Sequence, residues 1–178
     1  MHNNILKFWF EQLTPQQWWQ KSDDLDNDIQ QKFGDLHQQA SQAELYPWRD
    51  SAKGCLAEII ILDQFSRNIF RNTAKSFAQD SLALVLAQQA IAVGVDKELN
   101  AIERNFLYMP FMHSESLIIH QQACPLYKAN GVDSSYQFEL KHYDIIKQFG
   151  RYPHRNIILN RASTAEEIEF LKQPNSSF

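Results

Sequence analysis

Apolar positions along the chain recur at steps of three and four, the spacing of a single buried face on an α-helix. The stretch from Ser22 is the clearest case, with Leu25, Ile29, Phe33, Leu36 and Ala40 on one stripe and Ser22 as the N-cap. Asp23, Asp24, Asp26 and Asp28 crowd its first turns, where the helix dipole favours anions. The next periodic segment covers 52–70 and opens at Ser51. Its middle, 56–62, is apolar on nearly every side except at Glu58, and its length favours helix over buried strand. The remaining punctuation predicts a short helix carrying Ile5 to Phe10 and a helical turn opened by Thr14 and Pro15. It predicts a helix from Thr73 or Ser76 to Gly94, one from Asn100 ended by Pro110, and one from Ser114 to Gly131 kinked at Pro125. A further helix from Ser134 to Gly150 and a last one opened by the pair Ser163 and Glu166 complete the set, with 151–162 irregular.

These segments make an all-α chain of eight or nine helices. Five glycines and six prolines are too few for many short strands and tight turns, while 18 glutamines suit helices. A length of 178 residues favours one domain, placed at 1–173, with 174–178 as a frayed tail. No repeat of fixed period stands out.

Charge narrows the partners. The net charge of −4 is the wrong sign for a nucleic-acid binder, and no apolar run approaches the length of a membrane span. The start of the chain lacks the pattern of a secretory signal. Cys55 and Cys124 are 69 positions apart in apolar helical settings and read as buried, reduced side chains of a cytoplasmic protein. Trp9, Trp18, Trp19 and Trp48 read as core. His113 and Glu115 are only two candidate metal ligands, so neither a metal nor any other cofactor is expected. Nothing in the pattern assigns an oligomeric state.

Three groups of residues could carry chemistry. Asp63, Gln64, Arg67 and Arg71 share a helical arc of about 100°, with Asn68 beside them. Asp63 interrupts an apolar run and needs a partner, for which Arg67 at i+4 is placed. This group reads either as a structural ion pair or as an anion site. The second group is Glu103, Arg104, His113 and Glu115, in which imidazole and carboxylate could serve as base and orienter or simply cap a helix start. The third is the basic segment Phe149, Gly150, Arg151, Tyr152, Pro153, His154, Arg155 and Asn156, inside the window 145–165, which lacks any acid. Arginine forks suit carboxylate or phosphate.

The stretches LAEIIILDQFSRNIFRNTAKSFAQD, ERNFLYMPFMHSE and HYDIIKQFGRYPHRNIILNRASTAEEIEFL resemble the bacterial family called domain of unknown function 924. With the Trp18–Trp19 pair and the region of Phe33 to Leu36, the resemblance covers nearly the whole chain. It implies an all-helical fold grouped with tetratricopeptide-like superhelices, and no assigned reaction. Ser66 stands where the family usually has proline, Tyr143 where it has arginine, and Pro125 is atypical. Two functional readings follow, with a structural alternative. In the first, Arg67, Arg71, Arg104, Arg151, His154 and Arg155 line a cleft for an anionic small molecule or a peptide carboxylate. The second is a hydrolase or transferase with His113 as base, Glu115 as its orienter and arginines as stabilisers. In the structural alternative, all these groups are internal ion-pair networks.

Overall fold

Most of the helical punctuation is realised in the computed structural model, which describes residues 1–174, 176 and 177. Helix α1 (His2–Lys7) continues into a π-helical turn, Phe8–Gln12, and α2 spans Asp23–Ser41. Helix α3 (Ala52–Ile60) runs through a second π-helical turn, Ile61–Phe65, straight into α4 (Ser66–Ile69). Then come α5 (Asp80–Ala92), α6 (Ala101–Met112), α7 (Leu117–Asn130), α8 (Asp133–Phe149) and α9 (Ala165–Phe170). Short 3-10 turns, among them Ala74–Phe77 and Pro153–Arg155, join them, and no strand occurs among the described residues.

The α3–α4 rod is the axis of the molecule. Leu56, Ile59, Ile60, Ile61 and Leu62 are completely buried, because α1, α5 and α6 pack around them and α2 lies against the π turn and α4. At roughly 1.5–3 kcal/mol per fully buried side chain, these five alone contribute on the order of 10 kcal/mol. Phe8, Trp9, Phe33, Phe65 and Phe106 fill one end of this core with edge-on and tilted ring contacts and one stacked pair, Phe33 on Phe65. The second half is built by succession, α6 on α7 and α7 on α8. A smaller cluster of Ile145, Ile146 and Tyr152 closes the C-terminal end.

Local chemistry explains the helix ends. The Ser22 hydroxyl accepts from Leu25 N–H and that of Ser51 from Gly54 N–H, as the pattern predicts. Asn100 and Glu103 form a reciprocal capping box. Gly94 and Gly150, at φ +80° and +68°, stop α5 and α8 in the left-handed conformation that glycine adopts at little cost. Four expectations change. Helix α6 passes through Pro110 to Met112, because burying Phe111 and Met112 outweighs the cost of about 3 kcal/mol for an internal proline. Helix α7 starts after Ser116 and not at Ser114. Thr14 does not cap a helix, since its N–H and hydroxyl both donate to the Gln17 side chain in an irregular turn. The last capping box is Thr164 with Glu167, one position beyond the expected pair.

Burial also departs from expectation at two residue types. Trp19 is 59% exposed, stacked on Phe106 at 5.8 Å, and Trp18 and Trp48 are half-buried, so only Trp9 is fully core. Cys55 and Cys124 are both free and half-buried, not fully enclosed. At the C-terminus Ser176 is buried and donates to the Leu171 carbonyl, while Asn175 and Phe178 lie outside the described residues.

Candidate functional site

The π-helical turn Ile61–Phe65 carries a carboxylate within an otherwise apolar buried run. Asp63 sits in that turn and is completely buried. Such turns insert one extra residue per helical cycle and recur at functional sites. Burying a bare carboxylate costs several kcal/mol, so its partners matter. Its Oδ1 lies 2.7 Å from His113 Nδ1 and 3.2 Å from Arg67 Nη1, and its Oδ2 accepts from Gln64 Nε2 at 2.5 Å. Burial would raise the Asp63 carboxyl, but the charge of Arg67 and the bond to His113 outweigh it and hold the group well below the usual carboxylate range. Burial and the Arg67 charge push His113 below its ordinary value, leaving the imidazole neutral near pH 7.

A second carboxylate links two arginines. Arg67 donates to Asp80 through Nη1 at 3.0 Å and Nη2 at 3.2 Å, and Arg155 Nη1 reaches Asp80 Oδ2 at 3.3 Å. Arg155 is only 6% exposed, with its guanidinium between the rings of Phe77 and Tyr152, 4.5 and 4.6 Å from their centroids. Its Nε has no hydrogen-bond partner among the described residues. Burial and the neighbouring Arg67 charge lower its pKa, as expected for a cation short of compensation.

Of these groups, Phe77, Asp80, His113 and Arg155 border one small cavity of about 170 Å³. Phe77, Asp80, Ser81 and Leu84 form the wall at the start of α5. The end of α6 and the loop after it supply Pro110, His113, Ser114 and Glu115, and the 3-10 turn supplies Arg155. The buried Tyr152 anchors that turn by donating to the Met112 carbonyl at 2.5 Å. His120 fixes the same loop from α7. Its Nε2 lies 2.9 Å from the Ser114 carbonyl and its Nδ1 lies 2.7 Å from Glu139, a carboxyl raised by burial. A larger hollow of about 460 Å³ lies between α2 and the Ala74–Phe77 turn, where Gln30, Gln38, Gln79 and Lys75 surround His37 without any carboxylate.

His113 and Glu115 both line the cavity, yet they do not form the expected base–orienter pair. Glu115 accepts from Tyr152 N–H at 2.7 Å and takes a bidentate pair from Arg161 at 2.6 and 2.9 Å. Although burial opposes it, the Arg161 and Tyr152 bonds lower the Glu115 pKa. The carboxylate that orients His113 is Asp63, 50 positions away in sequence. His154 packs on Tyr152 at 5.6 Å, and burial together with the Arg155 charge lowers its pKa to about 4.

The other arginines face elsewhere. Arg71 clamps Asp26 with two guanidinium nitrogens and Asn68 donates to the same carboxylate at 2.8 Å, tying α4 to α2. Arg104 donates to the carbonyls of Asp96 and Leu99, closing the turn before α6. Arg151 pairs with Glu167, and Asn156 bonds Ser163, Glu167 and Arg161, which together hold α9 against the basic segment. The acid-free window is thus neutralised by acids from outside it. Six cationic groups do not converge: Arg155 lines the cavity and Arg67 reaches it through Asp80.

Sequence reasoning missed Asp80, Phe77 and Arg161 as members of the site. Asp80 opens α5 and looks like any acid at a helix start, so no local signal marks it as the bridge between two arginines. Ser66 has a role of its own: its buried hydroxyl donates to the Leu62 carbonyl and meets His37 Nε2 at 2.7 Å. Tyr143 does not line the cavity and lies under the ammonium group of Lys147. Among the described residues, no three His, Cys, Asp or Glu side chains are grouped as metal donors, and no helix is long and apolar enough to cross a membrane.

The fold has a solved counterpart. A structure described as a protein of unknown function, ATU0120 from Agrobacterium tumefaciens, is 38% identical, with a TM-score of 0.91 over 96% of each chain. No curated protein matches. The model of the family described as bacterial protein of unknown function (DUF924) matches residues 5–175. With nearly the whole chain matched, the protein belongs to the DUF924 family.

Proposed function

We propose that this protein binds a small anionic molecule in the cavity between α5 and α6, with Arg155 as the charge partner. The observation that carries the reading is the unused donor capacity of a buried guanidinium. Arg155 has five N–H donors, and the one hydrogen bond it makes among the described residues, to Asp80, is long at 3.3 Å. Ring faces hold it in place on both sides, so its fork is ordered before any ligand arrives. The cavity is below the usual range of roughly 300–1,000 Å³ for drug-sized ligands, which suits a compact metabolite or the carboxylate end of a peptide. Two unpaired half-buried thiols support a reducing, cytoplasmic setting for this activity.

Titration calorimetry with phosphate and acetate at two salt concentrations tests the reading. Arg155→Gln should weaken binding by about 1.5–3 kcal/mol, the range for losing a charge-assisted hydrogen bond. Arg155→Lys, which keeps the charge but loses the fork, should fall between the two. Unchanged affinity in Arg155→Gln, or no salt-sensitive binding by the parent protein, overturns the proposal.

A further inference from the structure

We infer that Asp63 and His113 form a proton-accepting dyad, in which His113 Nε2 takes a proton from a hydroxyl group or water beside the anionic group held by Arg155. This inference rests on the anion reading above and adds chemistry to it. The first support is the way Asp63 is bonded. Gln64 Nε2 donates to Oδ2 and the Arg67 guanidinium pairs with Oδ1 at 3.2 Å, which holds the carboxyl ionised; a carboxylate can only accept, so His113 Nδ1, 2.7 Å from Oδ1, is the donor. The proton of the neutral imidazole therefore sits on Nδ1, and the lone pair is left on Nε2.

The second support is position. His113 is the residue following α6 and lines the cavity with Asp80, Ser81 and Arg155. Asp63 lies behind it, with a side chain 1% exposed, out of reach of any ligand. Asp63 is thus a positioning residue and His113 the group that meets the ligand. The third support is cost. Asp63 interrupts the apolar face of α3 and the π turn that follows, where a hydrophobic side chain would pack at no electrostatic expense.

The step balances without a co-reactant. The O–H bond of the ligand or water breaks, its electron pair stays on oxygen, and the proton bonds to Nε2. The imidazolium so formed lies 2.7 Å from the Asp63 carboxylate, which stabilises the new charge. The oxygen that has lost its proton faces the wall that carries Arg155. The substrate class is a compact carboxylate or phosphate compound with a hydroxyl, or a bond open to attack by water, next to its charge.

Long-range nitrogen–proton NMR of the full chain labelled with ¹⁵N-histidine tests the dyad, with His113→Gln assigning the signal. At pH 7, His113 should show a protonated Nδ1 and a bare Nε2. In Asp63→Asn the side-chain amide donates to Nδ1 and the two nitrogens should exchange character. Carbethoxylation of His113 by diethyl pyrocarbonate, followed by peptide mass, should slow at least tenfold in that variant. If Asp63→Asn does not fold, the parent protein still decides the matter: a protonated Nε2, or a His113 that resists the reagent, overturns the dyad. Phosphate should slow modification of the parent protein. If it does not while the tautomer is as stated, the anion reading fails and the dyad stands.

Discussion

Asp80→Asn is the most direct test of the electrostatics around the cavity. The substitution preserves shape and removes the charge shared by two guanidinium groups. Arg67 keeps Asp63, through the backbone carbonyl at 2.8 Å and Oδ1 at 3.2 Å. Arg155 keeps no ion pair among the described residues, because Asp80 is its single one. Breaking a buried pair by removing one partner costs about 3–5 kcal/mol, whereas exposed pairs contribute at most about 1 kcal/mol. The Arg155 side chain is 7% exposed, but those of Asp80 and Arg67 are 17% and 21% exposed, which points to the lower end, about 3 kcal/mol. For a domain of this size that corresponds to a fall in Tm of roughly 6–12 °C. Urea unfolding followed by far-ultraviolet circular dichroism gives the free energy directly, provided the transition is two-state. Added phosphate should recover more stability in the variant than in the parent, since Arg155 would then hold its charge unopposed. A loss below about 1 kcal/mol would show that the network behaves like surface ion pairs and that the argument from burial is wrong.

Acid should destabilise the fold through neutral buried histidines. Burial holds His142 at about 3 and His154 at about 4 in the folded chain, against 6.5 when unfolded. Above pH 6.5 the stability from both groups is fully present. As pH falls from 6.5 towards 4 the unfolded chain takes up protons that the folded chain does not, so stability declines. At 1.36 kcal/mol per pKa unit the two histidines together account for about 6 kcal/mol by pH 4, partly opposed by the raised Glu139. Urea midpoints at pH 7, 5.5 and 4 measure this, and a flat profile contradicts it. Gly54→Ala should lose about 1–2 kcal/mol despite alanine's better helix propensity, because overpacking outweighs it. The added Cβ would lie 1.9 Å from the Trp48 carbonyl oxygen, a backbone atom that cannot swing away. Thermal unfolding of a more stable variant would refute that packing argument.

Much of the architecture is a local property of this sequence. The stripe from Leu25 to Ala40, the caps at Ser22, Ser51 and Asn100, and the stops at Gly94 and Gly150 each depend on residues within one or two helical turns. All of them are present in the folded chain. Where local reading fails, tertiary burial has overridden it: α6 continues past Pro110 because Phe111 and Met112 go into the core. The π turn around Asp63 was likewise invisible, since its composition differs from a regular helix by a single carboxylate.

The site divides along the same line. The sequence by itself determined that the chain is all-helical and that Asp63 in an apolar run must find a partner, and it singled out His113 and the basic segment as candidates. It could not determine which groups meet, because the decisive contacts join residues far apart in the chain. Asp63 reaches His113 across 50 positions, Asp80 reaches Arg155 across 75, and Glu115 reaches Arg161 across 46. Periodicity of 3.6 reports which face of a helix is buried but not which neighbour covers it. Only the packing of α6 against α3, and of the basic segment against the loop after α6, gave Asp63 to His113 and Glu115 to Arg161. That same packing separated Arg155 from Arg71, Arg104 and Arg151, leaving one buried guanidinium with spare donors beside a cavity.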